Sequence, residues 1–331
     1  MLTDRLPRVR LGSLPTPLHE LPRLSRALGG PRLFVKRDDQ TGLATGGNKT
    51  RKLEFSVAEA LRRGADTLIT LGAVQSNHAR QTAAAAAACG LRCVLVLSGQ
   101  APQVAAGNLL LDHLLGARVV FSGGRTREEV AGEVVAAQTA EGHRPYLIPV
   151  GASDEVGAAG FVAALEELKG QLDELRLRID RVVFASSSFG TQAGLCVAAK
   201  ELGFEPQLAG IAIDSTRAEL QAAVAGIAAR LAARIGLDDS VTPEEVVGYD
   251  AYVGGGYAVL GPPEREAIEL AARHEGILLD PVYTGRAMAG LIDLIRRREI
   301  GAGETILFWH TGGTPALFAY GEELLGSPRN R

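Results

Sequence analysis

Cysteine is scarce in this chain, with three in 331 residues: Cys89, Cys93 and Cys196. An odd number without paired spacing excludes a disulfide framework and a paired-cysteine zinc site, and their apolar settings read as buried thiols of a cytoplasmic protein. No apolar run reaches the length needed to cross a bilayer. Residues 1–10 mix Asp4 with Arg5, Arg8 and Arg10 and lack the apolar stretch of a secretory signal. Charge of one sign is also lacking. A net charge of −3 offers no general attraction to nucleic acid or anionic lipid, which leaves a small neutral or anionic metabolite as the expected partner. There is no Walker A motif, Gly254-Gly255-Gly256 lacks the strand-turn-helix setting of a dinucleotide fingerprint, and no internal repeat or metal-ligand set is evident.

What the chain does have is alternation. Strand-like apolar runs at 33–36, 67–71, 93–97, 118–121, 146–150, 181–185, 208–213 and 305–309 are separated by alanine-rich or amphipathic helical stretches. This pattern predicts an α/β protein of about two domains, each an open, mostly parallel sheet with helices on both faces. Ligands then belong at the carboxyl ends of the strands. Residues 215–250 read as a helix followed by a loop broken at Pro243, without nameable chemistry.

Several polar clusters fall at such strand ends. In Gly46-Gly47-Asn48-Lys49-Thr50-Arg51-Lys52-Leu53-Glu54, Asn48 is a good N-cap, and Leu53, Val57 and Leu61 recur at helical spacing. Lys49 therefore falls in the first turn of a helix, where the dipole disfavours its protonated form and favours a nucleophilic amine suited to a Schiff base. Gln75-Ser76-Asn77-His78 follows the strand at 67–71 and opens the six-alanine helix. Ser76 or Asn77 could be the helix cap, but four consecutive polar groups there also suit a carboxylate. Ser186-Ser187-Ser188-Phe189-Gly190-Thr191, before another helix, reads as an anion nest for a phosphate. Asp280-Pro281-Val282-Tyr283-Thr284-Gly285 and His310-Thr311-Gly312-Gly313 are further hydroxyl-bearing junctions. A metal-free serine hydrolase built on Ser76 and His78 would need an oxyanion-and-acid arrangement that the sequence does not display.

Taken together, and in this order, these motifs resemble those of the D-cysteine desulfhydrase and 1-aminocyclopropane-1-carboxylate deaminase family, over about residues 15 to 320. The resemblance implies the tryptophan-synthase-β-like fold (type II of the pyridoxal-phosphate folds), with a small domain at 52–158 and a large one formed by 1–51 and 159–331. It implies pyridoxal 5'-phosphate as cofactor, held by Lys49 as a Schiff base, with the freed amine then shuttling the substrate Cα proton. Lys52 would reach the phosphate, which the nest of Ser187, Ser188, Phe189, Gly190 and Thr191 would cradle. Asn77, Thr284 and Thr311 would touch the cofactor. Ser76, Asn77, His78, Tyr257, Tyr283, Thr311 and Gly312 would face the substrate, with Ser76 and Tyr283 joining Lys49 in catalysis. His78 reads as a hydrogen-bonded scaffold residue behind them.

Thr284 stands where the cyclopropane-opening deaminases carry glutamate. A hydroxyl near the pyridine nitrogen leaves the ring a weaker electron sink, which suits β-elimination from a substrate with a good leaving group. The expected reaction is conversion of D-cysteine to pyruvate, sulfide and ammonia by a homodimer. The alternatives are an L-cysteate sulfo-lyase, a cyclopropane deaminase, or a pyridoxal-phosphate-binding protein without turnover. Two departures from the family are Arg286, where lysine is usual, and a short segment at 100–107.

Overall fold

The computed structural model describes residues 1–325. Its strands are β1 (Leu18–Glu20), β2 (Arg32–Arg37), β3 (Thr67–Gly72), β4 (Arg92–Leu97), β5 (Arg118–Phe121), β6 (Pro145–Ile148), β7 (Arg181–Ser186), β8 (Gln207–Ala212), β9 (Val247–Tyr249) and β10 (Thr305–His310). The helices are α1 (Pro22–Ala27), α2 (Lys49–Arg62), α3 (Asn77–Ala88), α4 (Gly107–Leu114), α5 (Arg127–Ala140), α6 (Ala159–Leu175), α7 (Gly190–Leu202), α8 (Arg217–Ile235), α9 (Pro262–Glu275), α10 (Thr284–Arg296), α11 (Thr314–Leu317) and α12 (Gly321–Leu325). All eight expected strands are present. β1 and β9, three residues each, were not expected, and β6 ends two residues early because Val150 enters a short 3-10 turn.

The strands form two sheets. One has the order β1-β2-β10-β7-β8-β9, and the other β5-β4-β3-β6. Every pairing is parallel except that of β1 with β2. The middle strands are buried on both faces, as β3 shows along its whole length, so they read as continuous apolar runs and not as alternation. Helix α2 packs against α3 on one side and α6 on the other, and so bridges the two sheets. Cys93 and Cys196 are buried and unpaired, and burial pushes both thiols up. Cys89 corrects the expectation, since it sits at the C-cap of α3 and is only half-buried. No helix among the described residues is long and apolar enough to cross a membrane.

A charged cluster inside this architecture fixes where α2 begins. Arg51 is fully buried, and its Nε and Nη2 donate to Asp38 at 2.9 and 2.8 Å, while Nη1 and Nη2 donate to Glu167 at 3.0 and 2.9 Å. Asp38 follows β2 and also accepts from the Thr16 hydroxyl at 3.0 Å; Glu167 lies on α6 and receives Lys36 of β2 as well. Bidentate geometry at both carboxylates makes this a tight tie among three elements. Burial is the largest influence on Glu167 and pushes its carboxyl up, but hydrogen bonds and charge from Arg51 and Lys36 together hold it down at about 2.

Removing one partner of a buried pair strands the other, so Asp38→Ala should lower the unfolding free energy by about 3–5 kcal/mol. Urea denaturation reads this, and a loss well under 1 kcal/mol would deny the cluster its anchoring role. Because the Glu167 pKa is depressed in the folded state, its contribution is complete above its ordinary value of 4.5 and should vanish as pH falls toward about 2. Glu167→Gln should flatten that part of the stability profile.

Candidate active site

The carboxyl ends of β3, β7, β8 and β10 converge on a cavity of ≈ 380 Å³ lined by residues from both halves of the molecule. Lys49 enters it as the first residue of α2. The backbone before it is threaded under the other strand ends: Asn48 N–H donates to Thr311 O at 2.9 Å. Gly312, at φ 94°, passes so near Gly47 that a Cβ would lie 2.6 Å from the Gly47 Cα. At Gly46, φ 71°, a Cβ would lie 2.0 Å from the Asp39 carbonyl oxygen, so only glycine permits this crossing.

Asn48 holds the N-cap position but does not cap. Its backbone is helical, and its amide donates to the Thr191 hydroxyl at 3.1 Å while accepting from the Lys49 amine at 3.3 Å. The cause of the lysine's reactivity also differs from the expected helix dipole. Burial is the dominant influence and lowers the Lys49 amine to about 8, with the Asp280 charge opposing it. The residue keeps some accessible surface and lines the cavity.

Opposite Lys49, Ser76 is the N-cap of α3, its Oγ accepting from Ala79 N–H at 3.1 Å, and it lines the cavity with Asn77 and His78. Capping and facing the cavity are therefore compatible. Asn108 of α4 donates to the Asn77 Oδ1 at 2.9 Å and accepts from Arg80 Nε at 3.1 Å. With its oxygen so engaged, Asn77 has its amide N–H groups free to donate. Thr70 gives its hydroxyl proton to Ile148 O at 2.8 Å and lies 2.8 Å from His78 Nε2, so that nitrogen carries the ring proton. Burial first, then the Lys49 and Lys52 charges, hold His78 well below its usual pKa and keep it neutral.

The turn after β7 leads directly into the first turn of α7. Phe189 takes the left-handed conformation (φ 65°) at the start of α7, Ser187 donates to Asp214 at 3.2 Å, and Ser188 accepts from Ser153 at 2.8 Å. Lys52 stands behind this turn, donating to Ser153 at 3.0 Å and Gly151 O at 3.2 Å, with no carboxylate in contact among the described residues. Burial, followed by the Lys49 charge, lowers its amine well below the usual value. Across the cavity, Tyr283 and Tyr257 hydroxyls are 2.6 Å apart with their rings edge-to-face. Burial raises the Tyr283 phenol well above 10, and the Tyr257 phenol is also raised, chiefly by burial.

Ser187, Ser188, Phe189, Thr191 and Thr311 line the cavity with Lys49, Ser76, Asn77, His78, Tyr257 and Tyr283. Lys52, Gly190, Thr284 and Gly312 do not. Gly190 and Lys52 form the layer behind the nest, and Gly312 serves the crossing over Gly47. Thr284 is fully buried: its hydroxyl donates to the Asp280 carboxylate at 2.7 Å and accepts Asp280 N–H at 2.8 Å. Ser98, Arg127 and Asp214 line the cavity without having been singled out, and Asn48, expected only as a helix cap, lines it too. Asp214 carried the one usable signal, since it follows a strand end.

These residues fit a phosphorylated aldehyde. Among the described residues no carboxylate contacts Lys49 in the cavity or Lys52 behind the turn, which calls for an anion nearby. The buried Ser186 hydroxyl has no partner among the described residues. At Gly190 a Cβ would meet Ser153 Oγ at 2.8 Å and Lys52 Nζ at 3.0 Å, so the bare backbone keeps a cradle open at the helix start.

Comparison with known proteins agrees. The model of the family "Pyridoxal-phosphate dependent enzyme" matches residues 9–312. The D-cysteine desulfhydrase of Salmonella newport is 45% identical over 322 residues, 96% of this chain and 97% of that protein, and the Salmonella typhi protein of the same name matches equally. A crystal structure of an ACC deaminase homologue superposes with TM-score 0.90 at 38% identity, covering 98% of this chain and 97% of that one. Threonine deaminase isoform 2 from Solanum lycopersicum, at 18% identity and TM-score 0.65 over 94% of this chain and 81% of that one, shares the fold.

Lys49 in the cofactor-free protein should react with an amine-selective reagent with a half-maximal rate near pH 8, and not near 10.5. Peptide mapping after labelling across a pH series measures this. Asp280→Asn should move the midpoint lower, because it removes the charge that favours the ammonium form.

Proposed function

The chain belongs to the pyridoxal-phosphate-dependent enzymes, and from that premise we propose that it catalyses α,β-elimination of D-cysteine to pyruvate, sulfide and ammonia. Membership of an enzymatic family displaces both the carrier without turnover and the serine hydrolase. The observation that carries the reading is the placement of a buried, weakened amine, Lys49, and a buried phenol, Tyr283, in one cavity. Substrate choice leans on the 45% identical desulfhydrases.

Pyridoxal phosphate, when bound, supplies the electron sink that lets the Cα–H bond break. Lys49 would hold it and, once freed by substrate, take the Cα proton. The start of α7 with Lys52 would hold the phosphate, and Asn77 would donate to the ring oxygen. Ser76 retains its hydroxyl proton while capping α3, so it can donate to the substrate carboxylate, beside Thr311. Tyr283, kept protonated by burial and paired with Tyr257, would deliver the proton to the departing sulfur. Thr284 brings no carboxylate of its own to the ring, and its one hydroxyl proton is already given to Asp280.

A second reading, L-cysteate sulfo-lyase, is favoured by Arg127, which lines the cavity at the start of α5 and has no ion-pair partner among the described residues. A guanidinium suits a sulfonate. We take residues 52–158 as the small domain, with the boundary inside α2, and 1–51 with 159–331 as the large one. We also infer a cytoplasmic homodimer. The exposed Leu110 and Leu114 of α4 and Phe318 beside the neighbouring α11 are apolar side chains that a second copy would cover. Sedimentation of Leu114→Glu against the parent chain checks this, with dissociation expected.

Keto-acid release from D-cysteine, L-cysteine, L-cysteate, β-chloro-D-alanine and 1-aminocyclopropane-1-carboxylate should be fastest with D-cysteine. Lys49→Ala should abolish it, and Tyr283→Phe should lower kcat about 10²–10⁴-fold. Preference for the cyclopropane substrate would overturn the assignment, and preference for L-cysteate would select the second reading.

A further inference from the structure

We propose that Arg286 is a positioning residue whose guanidinium fixes the turn carrying Tyr257 over Tyr283. Arg286 lies in α10, three residues after Tyr283, and is fully buried. Its Nε donates to Glu264 at 2.8 Å, Nη1 to Ile213 O at 2.9 Å and to Gly256 O at 3.0 Å, and Nη2 to Val259 O at 2.9 Å. The two turn carbonyls bracket Tyr257. Ile213 immediately precedes Asp214, which faces the cavity. Glu264 uses its other oxygen to accept Gly261 N–H at 3.0 Å, closing the turn against the start of α9.

This turn cannot hold itself by packing. Tyr257 is 38% exposed, and beyond its contact with Tyr283 its place depends on the backbone on either side of it. Ala258 adopts φ 61°, a left-handed conformation that disfavours a residue with a Cβ and persists only where neighbours enforce it. From the opposite side the Tyr320 hydroxyl donates to Ala258 O at 3.1 Å. A planar fork with five donors can serve one carboxylate and three carbonyls arranged around it. A lysine ammonium, with three donors on a single nitrogen, cannot reach them all.

Arg286 therefore acts through Tyr257, whose hydroxyl it keeps 2.6 Å from that of Tyr283. The catalytic consequence rests on the reading that Tyr283 delivers a proton to the leaving group. The turn-fixing itself does not.

The test is Arg286→Lys in the cofactor-loaded enzyme, with Tyr257→Phe and the double variant. Amide hydrogen exchange in residues 253–259 should accelerate about tenfold or more, as expected when a local clamp is lost. kcat should fall by about tenfold with KM for the amino acid nearly unchanged, and the double variant should lose no more than Tyr257→Phe alone. Unchanged exchange in this segment, or losses that add in the double variant, would overturn the proposal. If Arg286→Lys does not fold, Glu264→Gln frees the same guanidinium from its anchor and must raise exchange in 253–259; protection equal to the parent chain overturns the clamp. If Tyr257→Phe and Tyr283→Phe both keep full turnover, the reaction assigned to Tyr283 fails, and the exchange result alone then decides the clamp.

Discussion

Three cations packed into four consecutive residues, Arg51 and Lys52 buried and Lys49 lining the cavity, set the terms for the rest of this molecule. Arg51 is matched by two carboxylates from β2's end and α6. Lys49 and Lys52 touch none among the described residues. A buried ammonium without a partner must shed its proton or draw in an anion. The helix start answers in both ways: Lys49 becomes an amine lowered to about 8, with a neutral minority near physiological pH that an ordinary lysine lacks, and Lys52 stands beside a turn of backbone and hydroxyl donors. The matched arginine makes the unmatched lysines tolerable. Without its tie to Asp38 and Glu167, the first turn of α2 could relieve the repulsion by moving into solvent.

Parallel sheets bring the remaining groups to the same place. Several cavity segments are strand carboxyl ends: β3 runs into α3, β7 into α7, and the end of β10 crosses under Gly47. Helix N-termini therefore point several N–H groups and partial positive charges at one cavity, which favours an anionic ligand before any side chain is considered. Side chains refine this. Asn108 orients the Asn77 amide, Thr70 fixes which nitrogen of His78 carries the proton, and Arg286 holds the Tyr257 turn.

Much of this arrangement was legible in the sequence because buried parallel strands leave uninterrupted apolar runs and their ends leave polar clusters. The two unread strands are the flanking β1 and β9. At three residues each, they are too short to show a period, and β9 is held by register with β8. Asn48 was legible as a helix boundary but not in its role. Capping is a local preference, and the Thr191 hydroxyl that claims its side chain lies 143 residues away. Lys49 was expected to be a weakened amine because of the helix dipole, and its amine is lowered by burial. The dipole is visible from sequence, whereas burial, the dominant cause, depends on the whole fold. Arg127 and Asp214 gave no motif at all, since a lone charge at a helix start or strand end reads as a solvated one until the opposite wall of the cavity is in place. The same holds for Arg286, whose departure from the usual lysine becomes intelligible only through carbonyls at 213, 256 and 259.

Burial also explains how one cavity can handle two proton movements of opposite sense. Desolvation penalises charge whatever its sign, so it lowers the pKa of an amine and raises that of a phenol. At Lys49 the result is an amine near 8 that can accept a proton, and at Tyr283 a phenol that stays protonated and can only donate. Groups whose pKa values are pushed apart by a shared environment divide the roles of base and acid between them. Here the ordinary order of the two, lysine 10.5 and tyrosine 10.0, is inverted and widened without any dedicated charge to do it. Asp280 opposes the shift at Lys49 and reinforces that at Tyr283, while the hydroxyl of Tyr257 raises Tyr283 further. The division of labour that an elimination requires is thus a property of enclosure first, and of individual neighbours second.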